Sequence, residues 1–143
     1  MANKVMARSD GTIGAIPQDD ILVFSIATAT QAVDSIVWQA PYPCKLVRVS
    51  VVFQTASSSG TLNVEKCPVG TAAGSGTDML SSTISLAGTA AVTVNGTLTT
   101  TQSTLKLAAT DRLALDFGGT VTNLANCFIT IHLRRLLTAG ADR

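Results

Sequence analysis

The sequence predicts an all-β domain, a two-sheet antiparallel β-sandwich with a jelly roll preferred, and three observations lead there. About eight to ten short runs rich in β-branched residues follow one another, each bounded by turn residues. Several of them alternate apolar and polar residues with a period of two, which turns one face inward and one outward. No stretch keeps a 3.6-residue period over the length that a crossover helix between parallel strands needs. A chain of 143 residues has room for one such core, and a domain of this size hides roughly two-thirds of its unfolded surface without a disulfide or metal staple. An immunoglobulin-like sandwich is the alternative fold, but Trp38 precedes Cys44 and no Cys-Trp-Cys order is present.

Taken in order, residues 1–20 carry no period and contain Ser9-Asp10-Gly11, Gly14 and Pro17, all loop formers. An extended N-terminal arm is expected there, with the apolar residues Val5, Met6, Ile13 and Ile16 and the basic Arg8 available to a neighbouring subunit. The sandwich domain is expected over 21–137 and a tail over 138–143. Ile21 to Ala27 and Val33 to Gln39 are strand-like, and Pro41-Tyr42-Pro43 forces a break after them. In Lys45 to Gln54, the alternation places Val47, Val49, Val51 and Phe53 on one face. Thr61 to Lys66 sends Leu62 and Val64 inward and Asn63 and Glu65 outward, and Ser57-Ser58-Ser59-Gly60 ahead of it suggests a hairpin with the preceding strand.

Pro68 to Thr77 is glycine-rich and is expected to be a flexible connection, followed by one helical turn over Asp78-Met79-Leu80 with Thr77 as its cap. Ile84 to Leu86, Ala91 to Val94 and Leu105 to Leu107 are further strand candidates, and Asn95-Gly96 has the composition of a tight hairpin turn. Arg112 to Phe117 alternates with Leu113, Leu115 and Phe117 on one side. Cys127, Ile129, Ile131 and Leu133 form the inner face of a last long strand that ends near Leu136, with Phe128, Thr130, His132 and Arg134 on its outer face.

Charged residues make up 13% of the chain and hydrophobic ones 46%, so Thr, Ser, Gly and Ala must cover the surface. Weak self-repulsion suits a protein that sits in an assembly. The net charge of +1, with basic residues scattered, gives no footprint for nucleic acid. No apolar run is long enough to span a membrane, and no secretory signal opens the chain. Cys44, Cys67 and Cys127 are odd in number and far apart, which excludes a complete disulfide framework and a paired-cysteine metal site and points to buried free thiols in a reducing compartment.

Little in the chain suggests chemistry. His132 is the only histidine, and no nucleophile elbow accompanies it. Asp19, Asp20, Asp34, Glu65, Asp78, Asp111, Asp116 and Asp142 are dispersed, and Asp19-Asp20 lacks the ordered carboxylate series of a calcium loop. Gly70, Gly74 and Gly76 share only glycine content with a phosphate-binding loop. Trp38 and Tyr42 could stack on a sugar, although core or interface packing is the readier use of so few aromatics. Arg134-Arg135-Leu136-Leu137 combines two guanidinium groups with two leucines at a strand end, the composition of an interface anchor. No catalytic residue, metal or cofactor is expected.

In the segments Gly60-Thr61-Leu62-Asn63-Val64-Glu65-Lys66, Gly70 through Leu80 and Asp111-Arg112-Leu113-Ala114-Leu115-Asp116-Phe117, the chain resembles the jelly-roll cement, or decoration, proteins of tailed bacteriophage capsids, that of the short-tailed Bordetella phage being one. The resemblance runs from about Ile36 to Leu136 and carries no functional-residue motif. It implies a structural virion protein added to the capsid surface, where it clamps neighbouring major capsid protein subunits; separately, the chain is expected to be made in the host cytoplasm and to work as a homo-oligomer, a dimer or trimer. The alternative function is a carbohydrate- or receptor-binding module of a phage tail or fibre.

Overall fold

The structure, a computed structural model, describes residues 5–7, 13–15 and 19–136. In the expected arm, β1 (Val5–Ala7) and β2 (Ile13–Ala15) pair antiparallel with each other. The body consists of β3 (Asp19–Thr28), β4 (Ser35–Gln39), β5 (Cys44–Thr55), β6 (Thr61–Cys67), β7 (Thr77–Asp78), β8 (Ile84–Ser85), β9 (Val94–Asn95), the helical turn α1 (Gln102–Leu105), β10 (Lys106–Leu107), β11 (Arg112–Gly118) and β12 (Ala125–Arg135).

These strands build two five-stranded antiparallel sheets. The first has the order β10-β5-β12-β3, with β9 also on β5; the second has the order β4-β11-β6-β7, with β8 also on β6. The predicted class, a two-sheet antiparallel sandwich consistent with a jelly roll, is the one the chain adopts. Between the sheets lie Leu46, Val49, Val51 and Phe53 of β5, Leu62 and Val64 of β6, Leu113 and Leu115 of β11, and Cys127, Ile129, Ile131 and Leu133 of β12, all buried. The inner face of β12 is the one its alternation predicts. Lys66 ties the two layers at their margin, because its ammonium on β6 donates to the carbonyls of Ser103 and Lys106 on the α1–β10 segment of the other sheet.

Several local expectations are corrected. Val47 does not join Val49, Val51 and Phe53 on the inner face; it is half-buried, and Cys44 and Leu46 are buried instead. The ladder steps from His132 opposite Arg48 to Leu133 opposite Leu46, so Val47 is the extra residue of a β-bulge that reverses the phase of everything before it. β5 and β6 are not a hairpin: β5 pairs with β12, β9 and β10, and β6 with β11, β7 and β8. The serines between them support a crossing from one sheet to the other, where buried Ser57 donates to the Leu86 carbonyl and accepts from the Gly60 N–H, both at 2.9 Å.

The helical turn expected at 78–80 is absent, since Asp78 is in β7 and Leu80 bridges to Leu98; burial of Met79 and Leu80 in the core outweighs the local capping signal. Asn95-Gly96 is not a hairpin turn either. Asn95 pairs with Ser50 and the Gly96 N–H donates to the Val49 carbonyl, so both continue β9 along β5.

Asn63 and Glu65 point outward from the sandwich as predicted, yet both are buried. The glycine-rich loop, expected to be a flexible connection, is fastened across this face. Gly74 N–H donates to Glu65 Oε2 at 2.8 Å, and Arg112 Nη2 donates to the Pro68 and Thr71 carbonyls at 2.9 and 2.7 Å. Gly76 allows the closest approach: a Cβ there would stand 2.6 Å from Cys67 Sγ and 2.8 Å from the Lys66 carbonyl oxygen.

Candidate interaction surface

The outer face of the first sheet and its β3 margin carry exposed apolar side chains. In register across the sheet, Phe128 on β12 lies between Ser25 on β3 and Val52 on β5; Thr130 lies between Val23 and Ser50; His132 lies between Ile21 and Arg48. Ile21 is 53% exposed, Val23 59% and Phe128 45%. β3 ends its sheet, so among the described residues the backbone groups on its far side have no partner strand. Isolated exposed apolar residues are ordinary, but three on adjoining strands beside an open edge make a contact surface.

The sequence carries a signal for this surface. Ile21-Leu22-Val23-Phe24 has no polar phase, the pattern of a strand with contacts on both faces. Leu22 and Phe24 lean inward on the core while Ile21 and Val23 stand in solvent.

The residues singled out as interface anchors are dispersed. Arg8, Ile16 and Leu137 lie outside the described residues, and for Val5, Met6 and Ile13 only the strand positions in β1 and β2 are described. Trp38 on β4 and Tyr42 are both half-buried and packed against the core. Arg134 and Arg135 do not act as one cationic pair, because successive residues of a strand point to opposite faces. Arg134 Nε donates to Asp19 Oδ1 at 2.9 Å, whereas the Arg135 guanidinium lies 3.8 Å from the centroid of the Tyr42 ring. The Tyr42 hydroxyl in turn donates to Asp20 Oδ2. Leu136 is tied back by its N–H to the Pro43 carbonyl at 3.0 Å. Together with Arg134, Lys45, Leu46, Leu98 and Leu105 it borders an open groove of about 460 Å³.

His132 Nε2 lies 2.9 Å from Asp19 Oδ2, so Asp19 braces both His132 and Arg134 where β3 meets β12. The Arg134 hydrogen bond, and after it that of His132, holds the Asp19 carboxyl below the ordinary carboxylate range. A depressed folded-state value means that the contribution of Asp19 to stability is complete above the unfolded carboxylate pKa of about 4 and is lost as pH falls through the lower folded value. Asp19 and Arg134 side chains are 36% and 50% exposed, so water screens the pair and the effect is small. In chemical unfolding from pH 7 down to pH 2, wild type is expected to exceed Asp19→Asn by a small constant margin at neutral pH that shrinks to nothing at the acid end. A margin that grows on acidification contradicts the brace.

The thiols are buried and unpaired with one another. Burial pushes Cys44 and Cys127 each up to about 11 and raises Cys67 as well, which keeps all three protonated and poorly nucleophilic at neutral pH. No helix among the described residues is long and apolar enough to cross a membrane.

No protein-family model matches the chain, and no curated protein sequence does, phage cement proteins included. Among solved structures, the chain is similar to one from Bacillus endospore appendages, described as disulfide-linked pili, at 14% identity over 85% of this chain and 89% of that one, with a TM-score of 0.41. It is also similar to a chain of infectious bursal disease virus, Gx strain, at 11% identity over 91% of this chain and 36% of that one, with a TM-score of 0.43. At these values the similarities carry nothing about role.

Proposed function

We propose that the chain is a structural virion protein that binds the outside of a tailed-phage capsid and cements neighbouring subunits of the major capsid protein, working there as a homo-oligomer. The observation that supports this reading most is the apolar strip of Ile21, Val23 and Phe128 beside the open β3 edge, on a chain with only 13% charged residues. Moving such a strip out of water gains roughly 25 cal/mol per Å², and a shell repeats each weak contact many times. The groups that could do chemistry have other occupations: His132 and Arg134 are held by Asp19, and the thiols are buried. The sugar-binding alternative loses support because Trp38 and Tyr42 lean on the core and Arg135 already covers the Tyr42 ring.

The test is the copy number of the chain in intact particles made by the genome that encodes it. Wild type is expected on the order of hundreds of copies per particle, as a symmetric shell demands. Val23→Ser combined with Phe128→Ser should leave a folded domain with at least tenfold lower occupancy. A handful of copies in wild type counts against a cementing role, and undiminished occupancy of the double variant removes this face from it.

A further inference from the structure

β3 closes one side of the first sheet, with β12 as its partner among the described residues. The β1–β2 ribbon that precedes it in the chain belongs to neither large sheet. From Ile21 to Thr28 the strand holds no charge, proline or glycine, and Ile21 to Ile26 pair with His132 to Cys127 residue for residue, without a bulge. Natural sheets blunt an open edge with charge, proline, a bulge, shortness or a cover. The other edges here are blunted: β7, β8, β9 and β10 have two residues each, and β4 has five with a register shift in its ladder. β3, at ten residues, is the long edge left competent to pair.

The interior is also incomplete at this margin. Leu22 and Phe24 face the core and pack on it, yet each is only half-buried, whereas Ile131 and Ile129, which they stand opposite on β12, are 0% exposed. A strand laid beyond β3 would cover Leu22 and Phe24 on the inner side and give Ile21 and Val23 a neighbour on the outer side. Such a strand has to be neutral and apolar on both faces. Charge does not select it, because Asp19 is held by His132 and Arg134 and Asp20 accepts from the Tyr42 hydroxyl. β3 itself meets both conditions.

We propose that β3 pairs antiparallel with β3 of a second copy, about a two-fold axis perpendicular to the sheet, so that two five-stranded sheets become one. That axis keeps both outer faces on the same side, so each residue meets residues of its own face. Centred on Val23, the pairing sets Leu22 opposite the partner's Phe24, Ile21 opposite the partner's Ser25 and Asp19 opposite the partner's Ala27. Centred on Phe24, it sets Leu22 opposite the partner's Ile26 and Asp20 opposite the partner's Thr28. Either register brings inner apolar residues together and opposes no two carboxylates. The inference rests on the homo-oligomer of the proposed function and names its contact, but it does not depend on the capsid.

The experiment is sedimentation equilibrium of the full chain, joined to cross-linking with a short bis-maleimide. Wild type should be a dimer at a concentration on the order of 10⁻⁴ M. Val23→Lys sets two ammonium groups near the axis and should weaken the dimer at least tenfold. Val23 is 59% exposed, so this variant keeps its fold, which thermal melting checks. Val23→Cys should cross-link to a dimer, since both registers bring the two positions within about 8 Å and the native thiols are buried. Val69→Cys, at an exposed position on the glycine-rich loop, should not. Phe128→Ser, one strand in from the edge, should remain dimeric, which separates loss of the dimer from loss of capsid occupancy. A monomeric wild type, a dimer that persists in Val23→Lys, or cross-linking through Val69→Cys in place of Val23→Cys overturns the proposal, whatever the copy number on particles. A chain that is monomeric alone and cross-links through Val23→Cys to the capsid protein in particles overturns it as well, and gives the edge to that partner.

Discussion

Phe53→Ala lowers the stability of the domain by about 3–5 kcal/mol, the range for truncating a buried aromatic in a core that relaxes only partly. Phe53 is among the largest fully buried side chains. It sits on β5 opposite Cys127 of β12, so the void would open beside the central ladder of the first sheet. Phe128→Ala is the control: that ring belongs to the neighbouring residue of β12 on the opposite face and is 45% exposed, and its loss costs under about 1 kcal/mol in the isolated chain. Urea unfolding of the two variants measures the difference. Equal losses would mean that the register of β12 is shifted by one residue, which exchanges the two faces.

Gly119→Ala is expected to be the next most damaging change, above about 2 kcal/mol. Gly119 follows β11 with φ +65, a left-handed conformation that costs a residue with a Cβ roughly 1–2 kcal/mol. A Cβ there would also stand 2.2 Å from the Ser59 carbonyl oxygen, so either β11 or the serine crossing has to move. That crossing is bonded to the same turn through Ser59 N–H to the Thr120 carbonyl and Ser58 N–H to the Thr122 carbonyl, and the displacement would strain both. Gly88→Ala is the comparison, because nothing lies within 4 Å of a Cβ at that position. Thermal melts of the pair should separate clearly. A Gly119→Ala protein that melts with wild type would show that the turn adopts another conformation.

Phe128 illustrates what alternation conveys well. With Cys127, Ile129 and Ile131 inside, it has to lie outside, and it does. Val47 shows where alternation fails, since a bulge shifts the phase by one residue and leaves no mark on composition. Arg134 and Arg135 stood together in the sequence, yet the same two-residue period sends one to Asp19 and the other to Tyr42. The open margin was invisible for a different reason. Ile21 to Ala27 is legible as a strand, but only the sheet order, with β3 last beside β12, leaves its far side without a partner among the described residues.

By itself, the sequence determined the class of fold, the inner faces of β11 and β12 and the scarcity of charge, because each follows from local periodicity or from composition. The tertiary structure alone decided which strands became partners, where β5 changes phase, and that a glycine-rich loop roofs Glu65. Those outcomes depend on contacts between residues distant in the chain, and a residue type carries no record of what will be laid across it.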